Sequence, residues 1–415
     1  MHRNRVVVVG AGAAGLVAAA EAASRGAEVV LLEKSSKTGV KILMSGGTRC
    51  NLTHNTDARG ITKQFGHAQR FLQPSVGAFP PAALVSMFNQ AGLPTKIEET
   101  GKIFPQSDRA LHVRDLLHRQ VVDAGATVHR STAVTDISRS NGLWRIETTD
   151  GPIEADRVVV TVGGKSYPGC GTTGDGYAWL EKLGHTIIPP RPALVPLVGG
   201  TDWTHTLSGL TLDDVVVTVK RPQTKKPLTT RRGSWLFTHF GFSGPAAMDV
   251  SGAMTAEESF TDLRLTVDLL PELTYEDIRQ RLGQRDHDGG RRRVSGVVGD
   301  WLPSRLAQAL VQQTGCDHSL AQLPRAGATK LLGQLKRLPL PISGTRGFAK
   351  AEVTAGGVAL NEVDPRTLES RICDGLFIAG EVLDVDGPIG GYNFQAAFST
   401  GRAAGIAAAS NSAQQ

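Results

Sequence analysis

Cysteine is scarce in this chain. The four thiols, Cys50, Cys170, Cys316 and Cys373, form no C-x-x-C pair, which excludes a disulfide framework and a cysteine-based structural zinc site and fits a reducing cytoplasm. No metal site is expected. Long apolar runs are missing too. None reaches the ~20 residues that cross a bilayer, so no transmembrane segment is expected. The opening MHRNRVVVVGAGAAGLVAAAEAAS has the basic start and apolar run of a signal peptide, yet its glycines divide it into strand, turn and helix. Acidic residues are absent from one stretch, KRPQTKKPLTTRR (220–232), which holds six Lys or Arg. A nucleic-acid surface would interleave aromatics there. The stretch has none, and Pro222 and Pro227 favour a solvated hairpin loop. Arg291, Arg292 and Arg293 read the same way. There is no internal repeat and no extended low-complexity tract.

What the chain does have is glycine, 48 of 415 residues, enough for several tight turns or close backbone approaches to a ligand. Its length suggests two to three structural units. Residues 5–9, Arg-Val-Val-Val-Val, read as a buried parallel strand ending at Gly10. A helix follows from Ala13 to Arg25, with Gly26 at its C-terminal cap, and then a second strand, EVVLLE, from Glu28 to Glu33. Alternating runs punctuated by Asn141-Gly142 and Asp150-Gly151 predict a β-meander. It closes in a buried strand, Arg157 to Val162, before Gly163-Gly164. Prolines in PPRPALVP mark a crossing into a β-rich region. Helical patterns run from Leu273 to about Leu338, and strands return after Gly347.

Gly10, Gly12 and Gly15 form G-x-G-x-x-G between strand and helix. The first permits the tight turn, the second lets backbone approach a pyrophosphate, and the third brings helix against strand. Glu33 ends the second strand, where an acid accepts from a ribose hydroxyl. This predicts a dinucleotide site without choosing between NAD and FAD. The segment GLFIAGEVLDVDGPIGGYNFQ, from Gly375, makes the choice. A strand ends in Gly380-Glu381, and a glycine-rich turn leads into a helix starting near Tyr392. A flavin needs such a second anchor. Glu381 would accept from a ribitol or ribose hydroxyl. The amides of Gly391, Tyr392 and Asn393 would face flavin N1 and the C2 carbonyl, where reduction places negative charge. Asp384 and Asp386 would bind a cationic substrate or cap the turn through its own backbone.

The pieces VVVVGAGAAGLVAAAEAASRG, KILMSGGTRCNLTH, GKIFPQSDRA, GGKSYPGCGTTGDGYAWLEKLGHTI, LFTHFGFSGPA, AEVTAGGV and GEVLDVDGPIGGYNFQAAFSTG resemble, in order, those of the BaiN/YhiN-type flavoproteins, also called the aminoacetone-oxidase-like FAD-binding family. The resemblance implies an α/β fold, a Rossmann-type FAD-binding domain with an inserted β-rich subdomain and a helical subdomain. The expected boundaries are 1–190 and 346–415 for the FAD-binding domain, 191–270 for the β-rich insert and 271–345 for the helical one. It also implies that Ser45, Gly46, Arg49 and Asn51 lie along pyrophosphate and flavin with Lys41 nearby. Ala14, Lys34, Val134, Gly163 and Gly164 complete the expected cofactor set. This chain departs from the family where Val40 replaces a basic residue, Thr48 a third glycine and His54 an asparagine, and Pro388-Ile389 makes the last turn more apolar.

Candidates for catalysis are His239, between aromatics in LFTHFGFSG, as a general acid or a packed strand-end histidine, and Tyr392. Cys50 is read as a buried thiol rather than a reactive one. The expected activity is an FAD-dependent oxidoreductase acting on a small molecule in the cytoplasm as monomer or homodimer, with no membrane and nucleic acid disfavoured as partner. One version takes NADH or NADPH as a transient co-substrate and reduces a small or alicyclic unsaturated substrate. The only other G-x-G-x-x-G, Gly169 to Gly174, follows no strand directly and is a poor nicotinamide site. The alternatives are an amine oxidase of aminoacetone type that passes electrons to oxygen, and a flavin-dependent RNA-modifying or nucleic-acid-binding protein.

Overall fold

A computed structural model describes residues 4–283 and 290–410. The chain divides into two compact units. One comprises residues 1–193 and 348–415, the other Leu194–Gly347.

The first unit is built on a five-stranded parallel sheet. Its strands are β1 (Arg5–Val9), β2 (Glu28–Glu33), β3 (Thr127–Arg130), β4 (Arg157–Val160) and β5 (Leu376–Ile378), in the order β5-β4-β1-β2-β3. Val6, Val7 and Val8 of β1 are fully buried, as a central strand covered on both faces requires. Helix α1 (Ala13–Ser24) follows β1 and stops one residue before Arg25, where Gly26 takes a φ of 86°. The final helix, α2 (Tyr392–Ala409), lies against α1 at unusually short range. A Cβ on Gly401 would sit 2.3 Å from the Ala14 carbonyl oxygen, and one on Gly405 2.3 Å from that of Ala18. Alanines on one helix and glycines four apart on the other let the backbones meet.

The meander appears as strands Val134–Ser140, Leu143–Thr148 and Ile153–Ala155. Asn141 and Gly142 both have positive φ, 52° and 83°, the conformation a two-residue hairpin turn demands. A smaller antiparallel sheet, Thr53–His54 with Lys102–Pro105 and Thr95–Ile97, braces the segment after Met44.

The second unit wraps a seven-stranded antiparallel sheet and its helices around one core. Segment 271–345 does not stand apart. It supplies strands Leu338–Leu340 and Ile342–Thr345 to the sheet, and its helical Leu306, Leu310 and Leu331 share a core with Val217 and Phe237. A helix, Pro245–Thr255, lies within the segment read as β-rich. No helix among the described residues is long and apolar enough to cross a membrane.

Candidate functional site

At the end of β1 the chain turns sharply. Gly10 takes a φ of 97°, and a Cβ there would lie 2.8 Å from the Thr161 carbonyl oxygen. A Cβ on Gly15 would lie 1.8 Å from the Gly10 carbonyl oxygen. Gly12 is different: a Cβ there would meet nothing within 4 Å. Its amide and that of Ala13 have no acceptor among the described residues. Open space over two free amides at the start of α1 is room and donors enough to hold an anion such as a pyrophosphate. Glu33 is drawn into the same turn, accepting from the amides of Ala11 (3.0 Å) and Ser35 (2.8 Å). Gly380, φ 80°, closes the other side, where a Cβ would come within 2.9 Å of the Ala14 methyl.

A second cluster forms around Glu381. Lys41 pairs with its carboxylate and donates to Ser166 Oγ at 2.6 Å. Ser166 Oγ donates to Glu381 Oε1 at 2.6 Å, and the Thr354 amide does so at 2.8 Å. Three donors leave a carboxylate with one lone-pair position for a further hydroxyl. Gly164 is fixed by the same group of residues, since a Cβ there would lie 2.3 Å from Thr354 Oγ1. Gly163, φ 74°, packs on Thr172. Tyr177 presents a buried hydroxyl with no hydrogen-bond partner among the described residues. Burial, then the charges of Glu381 and Asp384, push it well above the ordinary phenol range.

The third cluster is the start of α2. With its carboxamide oriented to suit its neighbours, Asn51 donates to Thr53 O (2.9 Å) and Ile103 O (3.2 Å) and accepts from the Gly391 amide (3.0 Å). The Gly391 amide is therefore occupied by protein, and Asn51 holds the helix rather than reaching outward. The amide of Asn393 has no partner among the described residues. Its side chain clamps the turn, accepting from Gly387 N at 2.8 Å and donating to Gly387 O at 2.9 Å. Tyr392 is buried and stacks on His54, ring centroids 4.9 Å apart. Asp384 does not cap its own turn. Its Oδ1 accepts from Gly356 N (3.0 Å), and its Oδ2 lies 3.0 Å from His67 Nε2. The hydrogen bond to Asp384 raises the His67 pKa above the ordinary imidazole value.

Other expected positions point elsewhere. Lys34 is engaged by Thr173 and Asp175, each at 2.6 Å. Arg49 pairs with Glu98 at 2.6 Å and lies over the Phe104 ring at 4.0 Å, so two protein partners satisfy it. Ser45 Oγ donates to Ile42 O at 2.7 Å. Gly46 and Gly47 are left-handed, and so is Thr48, φ 69°, which stands where the resemblance implies a third glycine. A threonine there stores backbone strain in the loop. Cys50 is buried, and burial pushes its thiol up to about 12, which leaves it inert. Val134 is half-buried on the meander, opposite Thr148. His239 belongs to the second unit. It is exposed in the two-residue turn between Thr229–Thr238 and Gly241–Ser243, edge-on to Phe240. Among the described residues no group of three or more His, Cys, Asp or Glu is gathered to hold a metal ion.

Sequence reasoning missed Ser166, Thr354, Tyr177 and His67. Each meets the site from a distant segment; Ser166 and Tyr177 lie in a glycine-rich stretch, GGKSYPGCGTTGDGY, that hints at a site.

Residues 4–407 match the model of the family described as HI0933-like protein Rossmann domain. The chain is 33% identical to a 3-dehydro-bile acid delta(4,6)-reductase of Clostridium scindens, over 98% of this chain and 99% of that one. It is 31% identical to a ribosomal RNA dihydrouridine synthase of Escherichia coli, over 96% of each. Among solved structures, a 3-ketosteroid delta1-dehydrogenase of Sterolibacterium denitrificans shares the fold at a TM-score of 0.52 and 14% identity, over 98% of this chain and 99% of that one. A flavocytochrome c3 fumarate reductase does so at 0.51 and 16%, over 98% and 78%.

Proposed function

The chain belongs to the HI0933-like family of FAD-dependent oxidoreductases, and from that premise we propose that it reduces a carbon–carbon double bond conjugated with a carbonyl, in a small or alicyclic substrate, at the expense of NADH or NADPH. The observation that carries this reading is the nature of the two relatives. A 3-dehydro-bile acid delta(4,6)-reductase and a dihydrouridine synthase both saturate a double bond joined to a carbonyl.

FAD supplies the hydride chemistry when bound. The residues fit it. Gly12 and Ala13 offer free amides and open space to the pyrophosphate, and Glu33 stands at the ribose end. Glu381 keeps one acceptor position for a ribitol hydroxyl. The open amide of Asn393 and the positive end of an 18-residue helix stabilise negative charge at the pyrimidine edge. Lys34, Arg49 and Asn51, each satisfied by protein, organise the walls. Val134 remains a proposed contact toward the adenine end, and Ser45, Gly46 and Lys41 toward the flavin.

A second reading has its own support. Lys220, Lys225, Lys226 and Arg231 are exposed at the end of the hairpin formed by Thr211–Lys220 and Thr229–Thr238. Arg221 and Arg232, by contrast, are neutralised by Glu257 and Asp214. Together with the ribosomal RNA relative, this favours uridine in RNA as an alternative acceptor. The deciding experiment reduces the protein anaerobically with NADH or NADPH, then offers a cyclic 3-keto-4-ene or a uridine-containing RNA. Return of the oxidised flavin band with the enone supports the first reading, and return with RNA alone supports the second. Reduction by aminoacetone and not by nicotinamide overturns both in favour of an amine oxidase.

A further inference from the structure

Two adjacent glycines open the turn into α2, and glycine on both sides leaves a peptide bond with little preference of its own for one orientation. Its neighbours have to set it. Gly390 and Gly391 have φ of 140° and 90°, and neither has room for a side chain. A Cβ on Gly390 would lie 2.7 Å from Tyr392 Cε2, and one on Gly391 2.5 Å from the Thr53 carbonyl oxygen. The peptide that joins them is gripped at both ends. Its carbonyl, Gly390 O, accepts from His54 Nδ1 at 3.2 Å, and its N–H, on Gly391, donates to the Asn51 side chain at 3.0 Å. Both partners come from one short segment, the strand Thr53–His54 and the two residues before it.

His54 is itself held in place. A carbonyl only accepts, so Nδ1 carries the proton of this bond. The ring stacks on Tyr392, with centroids 4.9 Å apart and planes 21° from parallel. Its far edge lies against Gly101, where a Cβ would come within 2.7 Å of Nε2. The imidazole therefore fills a slot between the first residue of α2 and a position that glycine keeps open.

We propose that His54 is a positioning residue for the flavin, holding the Gly390–Gly391 peptide so that its carbonyl cannot turn into the start of α2. This rests on the reading above that FAD lies with its pyrimidine edge at that helix start. Reduction places negative charge at this edge, and the positive end of α2 favours it. A carbonyl oxygen turned inward would oppose the same charge. Held on His54, it does not. His54 transfers neither proton nor electron and acts only through the peptide it grips.

The test measures the midpoint potential of bound FAD in the wild type and two variants. His54→Phe keeps an aromatic ring against Tyr392 and loses the donor. It should disfavour the reduced flavin about tenfold, the weight of one hydrogen bond, which is ~30 mV toward more negative potential for a two-electron couple. His54→Asn loses the ring and keeps a donor, since its Nδ2 branches from the side chain where His Nδ1 does, and it should stay near the wild type. Packing alone would rank the two the other way, with His54→Phe the milder change. In the wild type, ¹⁵N spectra should place a proton on His54 Nδ1, and the C2 carbonyl stretch of ¹³C-labelled FAD should differ from that of free FAD.

An unshifted C2 carbonyl stretch overturns the placing of FAD at α2 and the role of His54 with it. A shifted stretch with His54→Phe at the wild-type potential, or with His54→Asn the more negative of the two, overturns the role of His54 alone. Should His54→Phe fail to fold, the ¹⁵N spectrum decides, and an Nδ1 without its proton overturns the assignment.

Discussion

Gly12 and Gly15 stand three residues apart and should fail differently when given a methyl group. A Cβ on Gly15 would collide with the Gly10 carbonyl at 1.8 Å, so Gly15→Ala should destabilise the protein itself, by about 1–3 kcal/mol as overpacking usually does. At Gly12 the space is empty and φ is −82°, which alanine tolerates. Gly12→Ala should therefore melt like the wild type without FAD and bind FAD at least ~10-fold more weakly, because the methyl fills the pyrophosphate's place. Calorimetry with and without FAD separates the two. His67 offers a pH test. Its pKa is raised by Asp384, so the pair's contribution to stability is complete below the unfolded imidazole value of about 6.5 and is lost as pH rises through the higher folded value. NMR titration of His67 should give a midpoint above 6.5 that falls in Asp384→Asn. At this scale the sequence was legible where a motif fixes geometry locally, as in Gly10 to Gly15 and Glu33. It did not reveal the partner of Asp384, which was expected to meet a cationic substrate or its own turn and instead meets Gly356, 28 residues away on another segment, nor that of Arg49, whose charge suits phosphate but is taken by Glu98.

Helices α1 and α2 show the same division one level up. Their small residues gave the helices away by position after glycine-rich turns, but nothing in either segment says that they meet. Their close packing explains the composition. Alanine ordinarily improves a helix by about 1 kcal/mol over glycine. At Gly405 the sign should reverse, since the added Cβ would lie 2.3 Å from the Ala18 carbonyl oxygen and backbone cannot yield as a side chain can. Gly405→Ala should lower the melting temperature, whereas the same change at Gly333, where a Cβ meets nothing within 4 Å, should raise it slightly. The helix Pro245–Thr255 escapes detection by pattern because PAAMDVSGAMT is apolar nearly all round and most of it is buried, leaving no amphipathic period. Leu338–Leu340 is hidden for the opposite reason: its strand character comes from pairing with Leu265–Val267, about 70 residues earlier.

In the molecule as a whole, the two units carry different features. The first holds the Gly10–Gly15 turn, Glu381 and the start of α2, and the second holds the basic hairpin. A net charge of +6 is too modest to imply nucleic acid by itself. A role for the hairpin can still be tested: if RNA is the acceptor, Lys225→Glu with Lys226→Glu should weaken RNA binding and flatten its salt dependence by roughly one unit of slope for each phosphate no longer neutralised, while flavin reduction by nicotinamide is unchanged. Everything proposed for the site depends on an oxidoreductase that takes electrons from a nicotinamide and passes them to a conjugated double bond. This is decided under argon on the FAD-loaded protein, following the oxidised flavin band through addition of NADH or NADPH and then of a cyclic enone. The band should bleach with the nicotinamide and return with the enone. A band that bleaches only with aminoacetone, or that returns only with oxygen, would contradict that flow of electrons.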